Sequence, residues 1–209
     1  EVRQSALDGL ARLYIATNRL HDCEQVLDTL AGLQNRVRSE MPFPARSSMV
    51  TRIRLLLRLK RWHEASRIAD IAIEEARKVA DRKTVCAALM LRAQAMVYAG
   101  QPIEAARSII QANELGAWSL REHLGMFWEV CSQIQRASRE LQQQSHERAR
   151  RIWREQGNVG AEKELESATA EPKAFERSGG AFHVELRSDS RPASSLASAF
   201  DLSHDAYLL

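Results

Sequence analysis

The sequence has little of what builds β-sheets, disulfide scaffolds or membrane spans. Aromatic residues make up 6% of its 209 residues, and it contains nine glycines, five prolines and three cysteines. So few aromatics, glycines and prolines are typical of helical proteins and argue against an all-β sandwich or barrel. No apolar run approaches the roughly 18 residues that a transmembrane helix needs. The composition therefore predicts a soluble all-α protein, and its hydrophobic fraction of 44% is enough for a core.

Motifs for catalysis, metals and disulfides are also missing. Cys23, Cys86 and Cys131 are odd in number, far apart and free of any C-x-x-C pattern, so we expect no disulfide framework, no zinc site and a reducing compartment, the cytoplasm. No two of the six histidines have the i, i+4 spacing of a helical metal site. The chain has no P-loop, G-x-G-x-x-G, G-x-S-x-G or H-E-x-x-H motif. We therefore expect no cofactor and no enzymatic activity.

The net charge is small and argues against a strongly electrostatic partner. Thirty basic residues face 27 acidic ones, a formal net charge of +3. The Arg-rich segment 136–154 suggests a contact with a phosphate backbone, which is one alternative reading. Glu147 and Glu155 dilute its charge, however, and Ile152 and Trp153 require a core on the other side. An amphipathic terminal helix is therefore favoured over a nucleic-acid interface.

Apolar residues recur at helical spacing from about residue 6 to residue 156, with short interruptions. The predicted breaks are at Asn18-Arg19, Met41-Pro42-Phe43-Pro44, Lys60-Arg61, Ala80-Asp81, Gly100-Gln101, Leu115-Gly116 and Ala137-Ser138. They divide the segment into eight helices, and Ser47-Ser48 is expected to cap the third behind the prolines. Connections this short place consecutive helices antiparallel.

The strongest pattern lies between Leu89 and Ala112. These residues read L-x-x-x-A-x-x-M-x-x-x-G-x-P-x-x-A-x-x-x-I-x-x-A, with small residues where two helices must approach closely. The pattern resembles the tetratricopeptide repeat. In that family, small residues on two antiparallel helices pack together and a glycine-like turn joins them, which here are Ala93, Ala105 and Gly100.

The same frame fits two earlier parts of the chain. Asn18 and Cys23 take the turn position and the small-residue position in the first, and Lys60 and Ala65 take them in the second. The small residues are 42 residues apart between Cys23 and Ala65 and 40 apart between Ala65 and Ala105, longer than the standard repeat of about 34. Such lengthened repeats resemble those of bacterial regulators of the maltose-activator and peptide-receptor kinds and of kinesin light chains.

The resemblance implies an α-solenoid of about four antiparallel helical hairpins over residues 1–156, the last pair acting as a cap. Residues 157–195 are rich in Gly, Ser, Pro and Glu, which predicts a flexible linker and a mostly irregular C-terminal tail. Apolar spacing returns in residues 196–209, the expected start of a following helical segment or domain. A start without Met and an apolar end suggest a piece of a longer polypeptide.

In tetratricopeptide solenoids, the first helix of each pair lines a concave surface that binds a peptide or helix of a partner. The resemblance places the following residues at that surface: Arg12, Arg54, Arg58, Gln94, Tyr98, Met126 and Glu129. Arg54 and Arg58 are one helical turn apart, so together they are candidates to hold an acidic peptide or a terminal carboxylate through forked hydrogen bonds.

The order of segments suggests a regulatory role. Helical repeats, an Arg-rich last helix, a polar linker and the segment L-A-S-A-F-D-L-S-H-D-A-Y-L-L resemble the region that precedes the sensor domain and ATPase in certain sigma-54-type transcriptional activators. We therefore expect a protein-interaction or sensory module of a bacterial cytoplasmic regulator, without contact to a membrane. A freestanding scaffold or adaptor is the alternative, and the oligomeric state stays open, a homodimer included.

Overall fold

The computed structural model describes residues 2–34, 41–117, 121–133 and 139–169. Its helices are α1 (Val2–Ala16), α2 (Leu20–Gln34), α3 (Phe43–Arg58), α4 (Trp62–Lys78), α5 (Arg82–Tyr98), α6 (Pro102–Glu114), α7 (Arg121–Gln133), α8 (Arg139–Glu155) and α9 (Val159–Thr169). These ranges contain no strand, which confirms the prediction of an all-α protein. None of the helices in them is long and apolar enough to cross a membrane.

The helices end where the sequence predicts breaks, at residues with left-handed backbone. Positive φ angles occur at Asn18 (57°), Lys60 (59°), Ala80 (54°), Gly100 (73°), Gly116 (73°) and Gly157 (67°). Apart from Gly116, each lies two residues after one helix and two before the next. A left-handed residue at this place satisfies the last carbonyls of a helix and turns the chain back. The break predicted at Ala137-Ser138 lies outside the described residues.

The start of α3 differs from the expectation. The helix begins at Phe43 next to Pro42, so the prediction that Ser47-Ser48 caps it is wrong. Proline is tolerated in a first helical turn because the N–H group that it lacks has no partner there. The Ser48 hydroxyl instead donates a hydrogen bond to the carbonyl oxygen of Ala45 at 2.8 Å.

The chain divides into two compact units, Glu1–Gly100 and Gln101–Leu209. We call them the first unit and the second unit. The boundary falls in the turn of the segment Leu89 to Ala112, which carries the clearest repeat pattern, so each of its two helices is described with its own unit.

The first unit contains α1 to α5. Helix α1 packs on α2, α3 on α4 and α4 on α5, while α3 also contacts α1, α2 and α5. The residues of this unit that the repeat frame assigns to close helix contacts are fully buried: Cys23, Ala65 and Ala93. The frame therefore predicts the burial of these positions correctly.

The second unit contains α6 to α9, in which α7 packs against α8 and α8 against α9. Gly125 lies directly against the Trp153 ring, and a Cβ atom added at Gly125 would be 2.8 Å from three ring atoms. Helix α9 falls in the segment interpreted as a linker. The Asn158 side chain accepts a hydrogen bond from the Ala161 N–H group at 3.2 Å, and Leu165 is buried. One helix cap and one buried apolar residue in a polar stretch are a weak sequence signal, so α9 was not predicted. Residues 170–209 lie outside the described residues.

Candidate binding surface on the first unit

Arg12 is held at the contact between α1 and α3. Its Nη2 atom donates to Asp8 Oδ2 at 2.7 Å and to Ser47 Oγ at 2.7 Å, and its Nε atom donates to Thr51 Oγ1 at 3.4 Å. The Arg12 side chain nevertheless remains 51% exposed. Its guanidinium is therefore fixed in position by α3 while it stays accessible to a ligand.

Asp8 holds the Arg12 side chain in place from the buried side of the contact between α1 and α3. It is buried, and its carboxylate also accepts hydrogen bonds from the hydroxyl groups of Thr51 at 2.6 Å and of Ser47 at 3.0 Å. A buried carboxylate needs such partners because an unpaired charge is costly to remove from water. Asp8 and Thr51 were not singled out from the sequence, and Ser47 was considered only as a helix cap. The available signal was that Asp8 is the sole acidic residue of α1, four residues before Arg12.

Arg54 is in the opposite situation. Its side chain is partly buried on α3, and within the described part of the chain its guanidinium makes no hydrogen bond and no ion pair. Burial lowers the pKa of Arg54, the nearby Arg12 charge lowers it further, and Asp8 opposes both. A partly desolvated cation without a partner gains from any anion that reaches it. Arg54 is therefore the strongest candidate for contact with a ligand.

The remaining predicted residues of the first unit lie on α3 and on α5, which contacts α3. Arg58 lies one turn further along α3, is exposed and donates to Asn18 Oδ1 at 3.3 Å. Gln94 precedes Gly100 by the same six residues that separate Arg12 and Arg54 from their own turn residues. Helix α5, which carries Gln94, contacts α3. Equivalent positions on three neighbouring helices thus carry two arginines and a glutamine.

Tyr98 adds an aromatic edge at the end of α5. Its ring packs on the Trp62 ring with the centroids 4.7 Å apart and a tilt of 33° between the planes, and 43% of Tyr98 remains exposed. A partly exposed aromatic pair offers apolar area for a ligand. We call the predicted residues of the first unit, Arg12, Arg54, Arg58, Gln94 and Tyr98, the arginine surface.

Met126 and Glu129 belong to the second unit and are described with it. Glu129 Oε2 accepts a hydrogen bond from Trp153 Nε1 at 3.2 Å, which ties α7 to α8. Met126 lies on α7 and is partly buried. Glu129 thus has a packing role that the sequence pattern did not indicate.

The Arg-rich segment 136–154 makes contacts within the chain. The Arg148 guanidinium lies over the Trp128 ring, 4.7 Å from its centroid. Arg154 donates to Glu162 Oε1 from Nη2 at 2.6 Å and from Nε at 3.1 Å. These arginines connect α8 to α7 and to α9. Arg136 and the side chain of Arg139 lie outside the described residues.

Among the described residues, no group of three or more His, Cys, Asp and Glu side chains is placed to hold a metal ion. Comparison of the chain with protein-family profiles, with curated proteins and with solved structures finds no match.

Proposed function

We propose that the arginine surface binds an acidic peptide segment of a partner protein, and that the chain is a protein-interaction or sensory module of a bacterial cytoplasmic regulator. The observation that carries the proposal is the partly buried guanidinium of Arg54, which has no hydrogen-bond or ion-pair partner among the residues that the structure describes. A protein gains no stability from such a group, so a ligand is the simplest reason for keeping it.

The architecture that we propose for this module is a solenoid of tetratricopeptide-like hairpins. Its support comes from the repeated turn geometry. The N–H groups of Asn18, Lys60 and Gly100 each bond to the carbonyl oxygen three residues earlier, all at 3.1 Å. The three turns also follow the sequence frame, 42 and 40 residues apart. In such an architecture α1, α3 and α5 present one side to a ligand.

The chemistry of recognition follows from the geometry of the guanidinium. Arg54 presents a planar fork of N–H donors that matches a carboxylate with two parallel hydrogen bonds. Arg12 is pre-oriented by Asp8 and Ser47, so binding a second carboxylate beside it costs little side-chain entropy. The Tyr98 and Trp62 rings supply apolar contact at one edge. A peptide with two acidic residues and a neighbouring apolar residue fits this set.

Fluorescence anisotropy with defined probes tests the proposal. The probes are labelled peptides of about twelve residues that carry zero, two or four acidic residues, each with a free or an amidated C-terminus. We expect affinity to rise with acidic content and to fall with salt, because the contacts are exposed to solvent. Arg54→Gln should weaken the best peptide at least about tenfold, the loss expected for one charge-assisted pair.

Arg52→Gln is the matched control. Arg52 lies on the same helix, but its Nη2 atom is bound to Asp28 Oδ1 at 2.6 Å, so its removal should change affinity by less than about twofold. Equal losses in the two variants would show general electrostatic attraction and not a site. The absence of binding by every acidic peptide would contradict the proposal.

A further inference from the structure

Charge is divided unevenly between the helices of the first unit. Helices α1, α3 and α5 together carry nine arginine and lysine residues and one acidic residue, Asp8. Helices α2 and α4 carry three basic and seven acidic residues. The net charge is therefore +8 on the first set of helices and −4 on the second. So large an excess of cations on one set of helices favours an anionic ligand there.

Several of these cations already have a carboxylate elsewhere in the unit. The ion pairs are Arg46 with Asp81, Arg52 with Asp28 and Arg92 with Asp70. Arg3 lies nine residues before Arg12, which is two and a half helical turns, so it is on the opposite side of α1. At the contact between α1 and α3, Arg12 and Arg54 share the single carboxylate of Asp8.

One side of α3 brings Arg54 to the Arg12 guanidinium. Ser47, Thr51, Arg54 and Arg58 are spaced four, three and four residues apart, so they form one row along the helix, which we call the α3 row. Arg12 donates to its first two members, to Ser47 Oγ at 2.7 Å and to Thr51 Oγ1 at 3.4 Å. A long side chain on a helix leans toward the helix N-terminus, so Arg54, one turn after Thr51, is directed toward Arg12. Burial and then the charge of Arg12 lower the pKa of Arg54, as expected for two neighbouring cations.

The two guanidiniums offer more donors and more charge than a single carboxylate uses. Within the described part of the chain, Arg12 Nη1 makes no hydrogen bond and the Arg54 guanidinium makes none at all. A carboxylate is satisfied by the fork of one guanidinium, whereas a phosphoryl group has three acceptor oxygens and can join two. Together with Arg58, the next member of the α3 row, these arginines exceed Asp8 by two positive charges. A phosphate monoester carries about −1.5 to −2 charges at neutral pH and matches that excess.

We propose that Arg12 and Arg54 together bind one phosphoryl group, and that the preferred ligand of the arginine surface is a peptide segment with a phosphorylated serine, threonine or tyrosine. This inference rests on the proposed function, because it names the class of acidic peptide that the surface binds. The α3 row extends over eleven residues, about 16 Å, whereas a phosphoryl group fills about one turn of it. A ligand that reaches from Arg12 to Arg58 is therefore a chain and not a free phosphate ion. Phosphorylation of the partner then switches its binding on.

Fluorescence anisotropy of the full 209-residue chain with two matched peptides tests the inference. One labelled peptide of about twelve residues carries a phosphoserine, and the other carries two adjacent aspartates in its place, so that their net charges are similar. We expect the phosphopeptide to bind at least about tenfold more tightly, because its oxygens converge on both guanidiniums. Equal affinity of the two peptides would overturn this inference and leave the proposed function intact. The absence of binding by both peptides would contradict the inference and the proposed function together.

Competition with inorganic phosphate distinguishes a phosphorylated peptide from a free phosphate ion. We expect the unlabelled phosphopeptide to displace the probe at a concentration at least about 100-fold below that of inorganic phosphate, because the residues that flank the phosphoserine add contacts. Equal potency of the two competitors would overturn the assignment to a peptide.

A double-mutant cycle tests whether the two arginines hold the same group. Arg12→Lys and Arg54→Lys keep the charge, so the chain should stay folded by circular dichroism, but they lose the planar fork. Each variant should weaken the phosphopeptide at least about fivefold, and the double variant should weaken it by less than the product of the two losses, because both side chains contact one phosphoryl group. Arg52→Lys, at the ion pair with Asp28, is the control and should change affinity by less than about twofold. Losses that multiply in the double variant would show two separate contacts and would overturn the shared phosphoryl site.

Discussion

Asp8 and Arg54 both lie at the contact between α1 and α3, but they differ in their hydrogen-bond partners. The Asp8 carboxylate accepts hydrogen bonds from Thr51, Ser47 and Arg12, whereas no carboxylate of the described residues pairs with the Arg54 guanidinium. The sequence indicated Arg12 and Arg54 as cations of one surface, with Arg58 beside Arg54. It did not indicate that one is paired and the other is not, because that depends on which side chains of α3 reach Asp8.

Replacing Arg54 should therefore stabilise the chain while it removes the proposed binding. In Arg54→Met, the aliphatic stem keeps its packing and the desolvated charge is lost. We expect the free energy of unfolding to rise by about 0.5–2 kcal/mol, as is common when a functional residue is replaced by one suited to its surroundings. Urea denaturation followed by circular dichroism measures the change. Arg52→Met, which breaks the ion pair with Asp28, should give no such gain, and a loss of stability in Arg54→Met would show that the charge is compensated in the native state.

At the scale of the elements, the turns between helices show that different residues adopt the same backbone conformation. Asn18, Lys60 and Gly100 occupy equivalent turns with φ angles of 57°, 59° and 73°. The sequence placed all three breaks correctly, since each interrupts the apolar pattern. Only glycine takes this conformation without steric cost, whereas asparagine takes it at a modest cost and lysine at a larger one.

We expect Lys60→Gly to stabilise the chain by about 1 kcal/mol and Gly100→Ala to destabilise it by about 1 kcal/mol or more. The reason is the same in both cases, because a Cβ atom in the left-handed conformation crowds the following carbonyl group. Thermal unfolding of the two variants checks both signs. Lys83→Gly, a change inside α5, is the control and should destabilise, which separates relief of turn strain from a general effect of glycine. Equal behaviour of Lys60→Gly and Lys83→Gly would contradict the argument.

The turn between α4 and α5 also has a left-handed residue, Ala80, and it is held in addition by a buried ion pair. Arg46 Nε lies 3.1 Å from Asp81 Oδ2, and both side chains are about nine-tenths buried. Asp81 also caps α5, because it accepts hydrogen bonds from the N–H group of Thr84 at 3.1 Å and from its hydroxyl group at 2.8 Å. Burial alone would raise the pKa of Asp81, but the hydrogen bonds from Thr84 and Arg46 outweigh it and hold the pKa below its usual value of 3.8.

Asp81 should therefore contribute stability that depends on pH. Its carboxylate is favoured in the folded state, so the contribution is complete well above the unfolded pKa of 3.8 and is lost as the pH falls through the lower folded pKa. Asp81→Ala should cost about 2–4 kcal/mol at neutral pH, because it removes a helix cap and leaves Arg46 buried without a partner. The difference from the wild type should shrink below about pH 4 in urea titrations. Asp70→Ala, at an exposed ion pair, should change little, and a difference that is constant from pH 7 to pH 2 would argue against this role of Asp81.

At the scale of the whole molecule, the helical class and the buried packing positions could be predicted from the sequence. The long-range side-chain contacts could not. Apolar periodicity and small residues such as Cys23 and Ala65 are local signals, and both are buried as predicted. Helix α9 was missed because its only described apolar anchor, Leu165, stands in a polar stretch. The hydrogen bond from Trp153 to Glu129 depends on how α7 and α8 pack, so the sequence pattern gave no sign of it. Long-range side-chain pairing is the part that local patterns leave open.

The three cysteines report on the two units separately. Cys23 and Cys86 lie in the first unit and Cys131 in the second, and burial raises the pKa of each thiol, that of Cys23 from 9.0 to about 11. At pH 8 a native thiol should therefore react with a disulfide reagent at least about 100-fold more slowly than in the unfolded chain. Gly125→Ala forces a Cβ atom against Trp153 and should cost about 1–3 kcal/mol in the second unit. We expect it to accelerate labelling of Cys131 more than that of Cys23, as measured by mass spectrometry of peptides. Gly32→Ala, whose added Cβ meets nothing within 4 Å, is the control and should accelerate neither. Equal acceleration of all three thiols by Gly125→Ala would show that the chain opens only as a whole.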